Sequence, residues 1–201
     1  MLVRVAPGIH FWQWMSPEKG YHFNGWVVET GAGVHVVDPA LGPDSILDEV
    51  AAIGHPVEVL LTNKSHVRGT AAFVARFGCP VACHVDEERL VEYPIARTFR
   101  DGDLVGGELR VLHVPGKTPG EVALHLARDG GSLIVGDALI GQPAGQLSLL
   151  PDDKLADPAL LRRSIQRFAA LDFDRLLLGD GEPIGPGAKT IVVKFLSALG
   201  R

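Results

Sequence analysis

The side chains best suited to chemistry stand in five short segments, in chain order "VHVVDPA", "LTNKSHVRGT", "VPGKTPGE", "LIVGDALI" and "LLLGDGEPI". Among them are the imidazole of His66, the ammonium of Lys117, the carboxylates of Asp38, Glu121, Asp137 and Asp180, and Asn63, Ser65 and Arg68 around the histidine. An imidazole can move a proton, an ammonium can stabilise a developing oxyanion, and carboxylates can orient both. A zinc centre needs three or four imidazole, thiolate or carboxylate ligands at one point, and a lysine offers donors rather than a lone pair.

These segments lie mostly at the ends of strand-like runs. "VVET" (27–30) and "VHVVD" (34–38) flank a turn-forming "GAG" and read as a hairpin. A helix follows over 46–53, with Asp44 or Ser45 at its N-cap and Gly54 as its stop, then a buried strand over 57–61. The next helix is expected from His66 to Phe77, ending at Gly78, and "VACH" (81–84) as a strand after it. From Leu109 the pattern changes to three short strands, "LRVLHV", "VALHL" and "SLIVGD". The tail alternates again, with a helix over 158–171 opened by Pro158, a strand over 175–179 and a last helix over 188–199. Residues 138–156 lack periodicity and read as a lid or binding loop.

Taken together, the five segments resemble the metallo-β-lactamase superfamily over nearly the whole chain. The resemblance implies an α/β, four-layer αββα sandwich in a single domain, 1–201, with a site along one edge of the two central sheets. The family's Thr-His-x-His-x-Asp-His-x-x-Gly is here Thr62-Asn63-Lys64-Ser65-His66-Val67-Arg68-Gly69, two residues shorter. Asn63 stands for the first histidine, Ser65 for the aspartate, and His66 is the one ligand histidine kept. Pro-Gly-His-Thr-Pro-Gly has become Pro115-Gly116-Lys117-Thr118-Pro119-Gly120, Gly-His-Gly has become Gly179-Asp180-Gly181, and the metal-bridging aspartate is retained as Asp137.

Two carboxylates side by side in a partly dry cleft repel by on the order of 4 kcal/mol at about 4 Å and an effective dielectric of about 20. Lys117 is therefore expected between Asp137 and Asp180, its ammonium taking the place of the metal charge, with no cofactor bound. His66, Lys117, Asp137 and Asp180 are the expected catalytic residues: His66 as base toward water, Lys117 on the oxyanion, the aspartates orienting them. Asn63, Arg68 and Glu121 are expected at the substrate, and Asp38 and Ser65 behind the site as braces. Bound zinc lowers the pKa of water from about 15.7 to about 7, on the order of 11 to 12 kcal/mol that a lysine cannot supply. Only an activated ester, thioester or lactone then suits hydrolysis, and β-lactam cleavage is disfavoured. Two rival readings stand beside it: a non-catalytic domain binding a small ligand or serving assembly, and a mononuclear metal hydrolase using His66, Asp137 and Asp180.

The aromatic residues Phe11, Trp12, Trp14, Tyr21, Phe23 and Trp26 read first as strand packing, and otherwise as a wall beside the site mouth. Cys79 and Cys83 have no second pair to complete a zinc site and read as reduced structural thiols. The formal charge of −5 over 201 residues provides no broad positive field for nucleic acid or anionic membrane, so the expected partner is a small anionic molecule. A homodimer stays open. No run reaches the roughly 20 apolar residues of a membrane span, and "MLVRVAPGIH" has no signal-peptide core, so the expected location is cytoplasmic.

Overall fold

The computed structural model describes residues 1–199. Strands β1 (Val3–Ala6), β2 (Ile9–Met15), β3 (His22–Thr30) and β4 (Gly33–Val37) run antiparallel as a meander. Helix α1 (Ser45–Ile53) leads to β5 (Pro56–Leu60), a single 3-10 turn (Lys64–Val67), α2 (Thr70–Phe77), β6 (Val81–His84) and β7 (Arg97–Phe99), so that β4 to β7 pair in parallel. These seven strands form one sheet in sequence order. A second sheet follows from β8 (Leu104–Val105), β9 (Leu109–His113), β10 (Val122–Leu126) and β11 (Ser132–Val135), and, after α3 (Pro158–Ser164) and a 3-10 stretch (Ile165–Ala170), β12 (Arg175–Leu178). Its order is β12-β11-β10-β9-β8, and α4 (Ala188–Leu199) closes the described chain.

Strand alternation sorts the side chains into layers. On β3, Trp26 and Val28 face the second sheet and pack with Val111, Leu124, Ile134 and Leu177, whereas Val27 faces outward to a cluster with Ile46 and Val50 of α1 and Phe73 of α2. The outer face of the second sheet, including Leu112, Leu133 and Leu176, is covered by Leu161, Ile165 and Phe168, and by Val192 and Leu196 of α4. The result is a four-layer αββα sandwich, as the sequence implied. Trp26 Nε1 and Asn24 Nδ2 both donate to the Leu178 carbonyl, joining the two sheets at the end where the site lies.

Some boundaries differ from the expected ones. The helix expected from His66 to Phe77 is broken: a 3-10 turn ends at Val67, and α2 begins only at Thr70. The break sits at Gly69, whose N–H donates to the Pro39 carbonyl and where a Cβ would lie 2.6 Å from the Ala40 carbonyl oxygen. The helix expected over 158–171 likewise passes from α to 3-10 form at Ile165. The aromatic run "FWQWM" is the greater part of β2, and Trp12 and Trp26 are core residues. Among the described residues no helix is long and apolar enough to cross a membrane.

Candidate active site

Every expected site residue is carried by a loop that leaves the end of a strand, because the turn residues in "VDPA", "PGKTPG", "VGDA" and "LGDGEP" stop the ladders there. Asp38 follows β4 in the left-handed region, at φ 48°, a strained conformation for a residue other than glycine. Its carboxylate is fully buried and accepts from the Thr62 N–H (2.8 Å), the Thr62 hydroxyl and His66 Nδ1–H (2.7 Å). Gly136 and Gly179 let the second sheet approach: a Cβ would lie 2.2 Å from Thr62 Oγ1 at the first and 2.8 Å from the His66 ring at the second.

His66 is fully buried and donates through Nε2 to Asp137 Oδ1, 3.3 Å away, while Asp180 Oδ1 stands at 3.9 Å. Burial and the nearby Arg68 would depress its pKa, but the Asp38 and Asp137 carboxylates outweigh them and raise it to about 10. The ring is held as an imidazolium that donates on both sides. Lys117 Nζ lies 3.0 Å from Asp137 Oδ2 and 3.3 Å from Ser65 Oγ. Arg68 donates to Asp180 Oδ1 at 2.7 Å with its guanidinium 3.6 Å above the Phe23 ring. Burial raises Asp137, yet His66 and Lys117 override it and hold the carboxyl below the usual range. At Asp180 burial prevails over His66 and Arg68, and the pKa moves up.

Several expectations are revised by this geometry. Lys117 pairs with Asp137 but, among the described residues, comes within salt-bridge distance of no second carboxylate; Arg68 neutralises Asp180, so two cations do the work expected of one. Arg68 was expected on a substrate anion, and its guanidinium is instead committed to Asp180, although it still lines the cavity. Asn63 and Glu121 were expected at the substrate and are fully buried: Asn63 Oδ1 caps the 3-10 turn by accepting from the Ser65 N–H, and Glu121 Oε1 accepts from the Ala138 N–H. Burial, with Asp137 beside it, lifts the Glu121 pKa well above the carboxylate range, which favours its neutral form. Ser65, expected behind the site, is exposed to it. His66 cannot serve as the base toward water, because no surface of it reaches solvent and neither ring nitrogen keeps a lone pair.

A cavity of about 410 Å³ opens beside this cluster, lined by Lys19, Tyr21, Phe23, Ser65, Arg68, Lys117, Asp137, Leu150, Lys154 and Asp180. Burial raises the Tyr21 pKa to about 12, so its phenol faces the cavity as a neutral donor. Leu150 and Lys154 come from the loop expected to cover the site. Those two were legible only as part of that 138–156 loop, and Lys19 carried no signal in the sequence, because a solvent-facing loop residue follows no period. Glu87 was missed as well: buried after β6, it accepts from the Lys64 N–H (2.8 Å) and the Gly120 N–H (3.0 Å), tying the Ser65 loop to the Lys117 loop.

Ligand atoms of His66, Asp137 and Asp180 lie within 4.8 Å of one another, the spacing a single metal ion would need. As arranged they do not suit one: both imidazole nitrogens donate, both Asp137 oxygens accept from cationic groups, and Asp180 Oδ1 is taken by Arg68. Three cations already balance the carboxylates of Asp38, Asp137 and Asp180. In a second grouping, His84, Asp86 and His113, the two rings stack in parallel 4.1 Å apart, which keeps their lone pairs from converging.

The chain belongs to the metallo-β-lactamase superfamily, which it matches over residues 1–196. It is 31% identical over 159 residues to a hydroxyacylglutathione hydrolase of Aeromonas salmonicida, covering 76% of this chain and 58% of that protein. A hydroxyacylglutathione hydrolase of Cereibacter sphaeroides is 36% identical over 130 residues, covering 60% and 49%. The chain thus spans about half the length of the curated relatives it matches. Among solved structures, TTHA1623 in a di-iron-bound form superposes with a TM-score of 0.70 at 27% identity, covering 87% of this chain and 94% of that one. A metallo-β-lactamase from Pontibacter korlensis reaches 0.78 at 19% identity, covering 100% and 99%, which is a likeness of fold.

Proposed function

We propose that this protein is a metal-independent hydrolase of small, negatively charged, activated acyl compounds, thioesters foremost. The observation that carries the reading is the ion pair of Lys117 with Asp137 in the cavity wall: a fixed cation stands where the superfamily pattern supplies a histidine. The similarity to hydroxyacylglutathione hydrolases supports a thioester. Without a metal-bound hydroxide the chemistry is confined to acyl groups with good leaving groups. With Arg68 and Lys117 paired to the two carboxylates of the lining, Lys19 and Lys154 supply the remaining charge of the cavity wall, each beside an exposed neighbouring acid, Glu18 and Asp153, and this positive balance of the lining favours an anionic substrate. Asp180 replaces His66 as the base that takes a proton from water: it lines the cavity, its pKa is raised, and Oδ2 takes no hydrogen bond among the described residues. The carbon–sulfur bond breaks, and a carboxylic acid and a thiol leave.

The test is hydrolysis of a panel of acyl thioesters by protein prepared with chelator, alongside elemental analysis. Turnover that survives chelation and falls at least about 100-fold in Lys117→Ala is expected. Turnover that appears only on adding zinc or iron, and tracks metal content, would overturn the reading in favour of a metal hydrolase. A second reading, ligand binding without turnover, draws on the burial of His66, which leaves the cavity without an imidazole base; saturable binding with no product in the same panel would select it.

A further inference from the structure

The Lys117 ammonium has three N–H bonds, and two of them are spent in the cavity wall. One goes to Asp137 Oδ2 at 3.0 Å, and one is donated to Ser65 Oγ at 3.3 Å. Because Ser65 Oγ accepts that bond, its own proton is left to donate, and among the described residues the hydroxyl has no other partner. Both residues line the cavity, and Ser65 is exposed to it. We propose that Ser65 is a catalytic donor: its O–H and the third N–H of Lys117 together hold the acyl oxygen of the substrate and the negative charge that gathers on it. The inference rests on the acyl chemistry proposed above and gives that chemistry its oxyanion site.

Donor atoms 3.3 Å apart can share one acceptor at hydrogen-bond distance from each. Such a pair is worth most when it is fixed beforehand, since nothing then has to reorganise as the charge forms. The backbone fixes this one. Asn63 Oδ1 accepts from the Ser65 N–H at 2.8 Å, and the buried Glu87 carboxylate accepts from the N–H groups of Lys64 and Gly120, joining the serine loop to the lysine loop. The lysine loop is held on its other side as well: the Lys117 carbonyl accepts from the Ala156 N–H at 3.3 Å and the Gly116 carbonyl from the Asp157 N–H at 2.8 Å. By donating to the hydroxyl, Lys117 polarises it and makes Ser65 a stronger donor than a serine alone. The partner of the hydroxyl is an ammonium, not a base, so Ser65 keeps its proton throughout.

In the first step water bonds to the acyl carbon and gives a proton to Asp180, while the carbonyl electron pair moves onto oxygen, where Ser65 and Lys117 hold it. In the second the pair returns to re-form the carbonyl, the carbon–sulfur bond breaks, and the departing thiolate takes the proton from Asp180. The sum is thioester and water giving acid and thiol, with Ser65, Lys117 and Asp180 as they began.

The experiment measures steady-state hydrolysis of an acetyl thioester by the full chain, by Ser65→Ala and by Ser65→Thr, with acid-quenched protein read by intact mass and peptide mapping. Ser65→Ala removes the hydroxyl and keeps the N–H that Asn63 holds. It should lower kcat at least about 30-fold with KM changed less than about threefold, because the charge is held only in the transition state, and it should leave the shape of the pH profile unchanged. Ser65→Thr, which restores a hydroxyl, should regain at least about tenfold of that loss, and no acetyl group should be found on the protein. Ser65→Ala turning over like the parent, a rise in KM alone, or Ser65→Thr losing as much as Ser65→Ala would overturn the donor role and leave the hydrolase reading standing. An acetyl group on Ser65 would overturn it too, by making the residue a nucleophile. No turnover in the parent would remove both readings.

Discussion

His66 spends both ring nitrogens on carboxylates, and that commitment can be read from stability. Its pKa is 6.5 in an unfolded chain and about 10 when folded, so its contribution is fully present below pH 6.5 and is lost as the pH rises through 10. Unfolding free energy from urea titrations should therefore fall across that interval by on the order of a few kcal/mol, and His66→Gln should abolish most of the slope. An unchanged slope in the variant would assign it to another group. Lys117→Met leaves the Asp137 carboxylate buried with one cationic partner fewer, and should cost about 2–4 kcal/mol in the same titrations. Removing metal with chelator should change neither value. His66, Lys117, Asp137 and Asp180 were legible as a group because each breaks a family pattern at a fixed place. Their pairing was not legible, since Arg68 reaches Asp180 across 112 residues of chain, and sequence spacing says nothing of such a contact.

At the scale of elements, the positions of Ser65 and Lys117 depend on the buried carboxylate of Glu87, which spans two loops. Glu87→Ala strands two backbone N–H groups and should destabilise by about 2–4 kcal/mol, whereas Glu87→Gln, which keeps an acceptor for one of them, should cost less than half of that. Denaturation midpoints of the two variants check the ranking. Strands β4 to β6 and β9 to β12, and the second half of β3, were readable, because continuous apolar runs between turn residues have few alternatives, whereas the first half of β3 was read only as part of the aromatic cluster. The short edge strands β1, β7 and β8 were not: at two to four residues, neighbouring backbone rather than side-chain period defines them. The break between His66 and Thr70 was equally hidden, since the apolar spacing runs on through it and only the crowded carbonyl of Ala40 forbids a continuous helix.

For the whole molecule, the two sheets meet over a core in which Leu124 is fully enclosed by residues of both. Leu124→Ala should cost about 3 kcal/mol and lower the thermal midpoint without changing the slope of activity against pH. The buried thiols of Cys79 and Cys83, the latter with a pKa raised by burial to about 12, should resist alkylation in the folded protein and react only on unfolding. Arg68 belongs at this scale too, because it is clasped between Phe23 on one sheet and Asp180 at the end of the other. That clasp makes the charges of the site interdependent. Histidine at 180 would strand the Arg68 guanidinium against the Phe23 ring, and histidine at 117 would leave Asp137 with His66 as its remaining cationic partner among the described residues. A histidine at 180 therefore costs stability through Arg68 before it can serve any ion, and a change at Arg68 would have to accompany it.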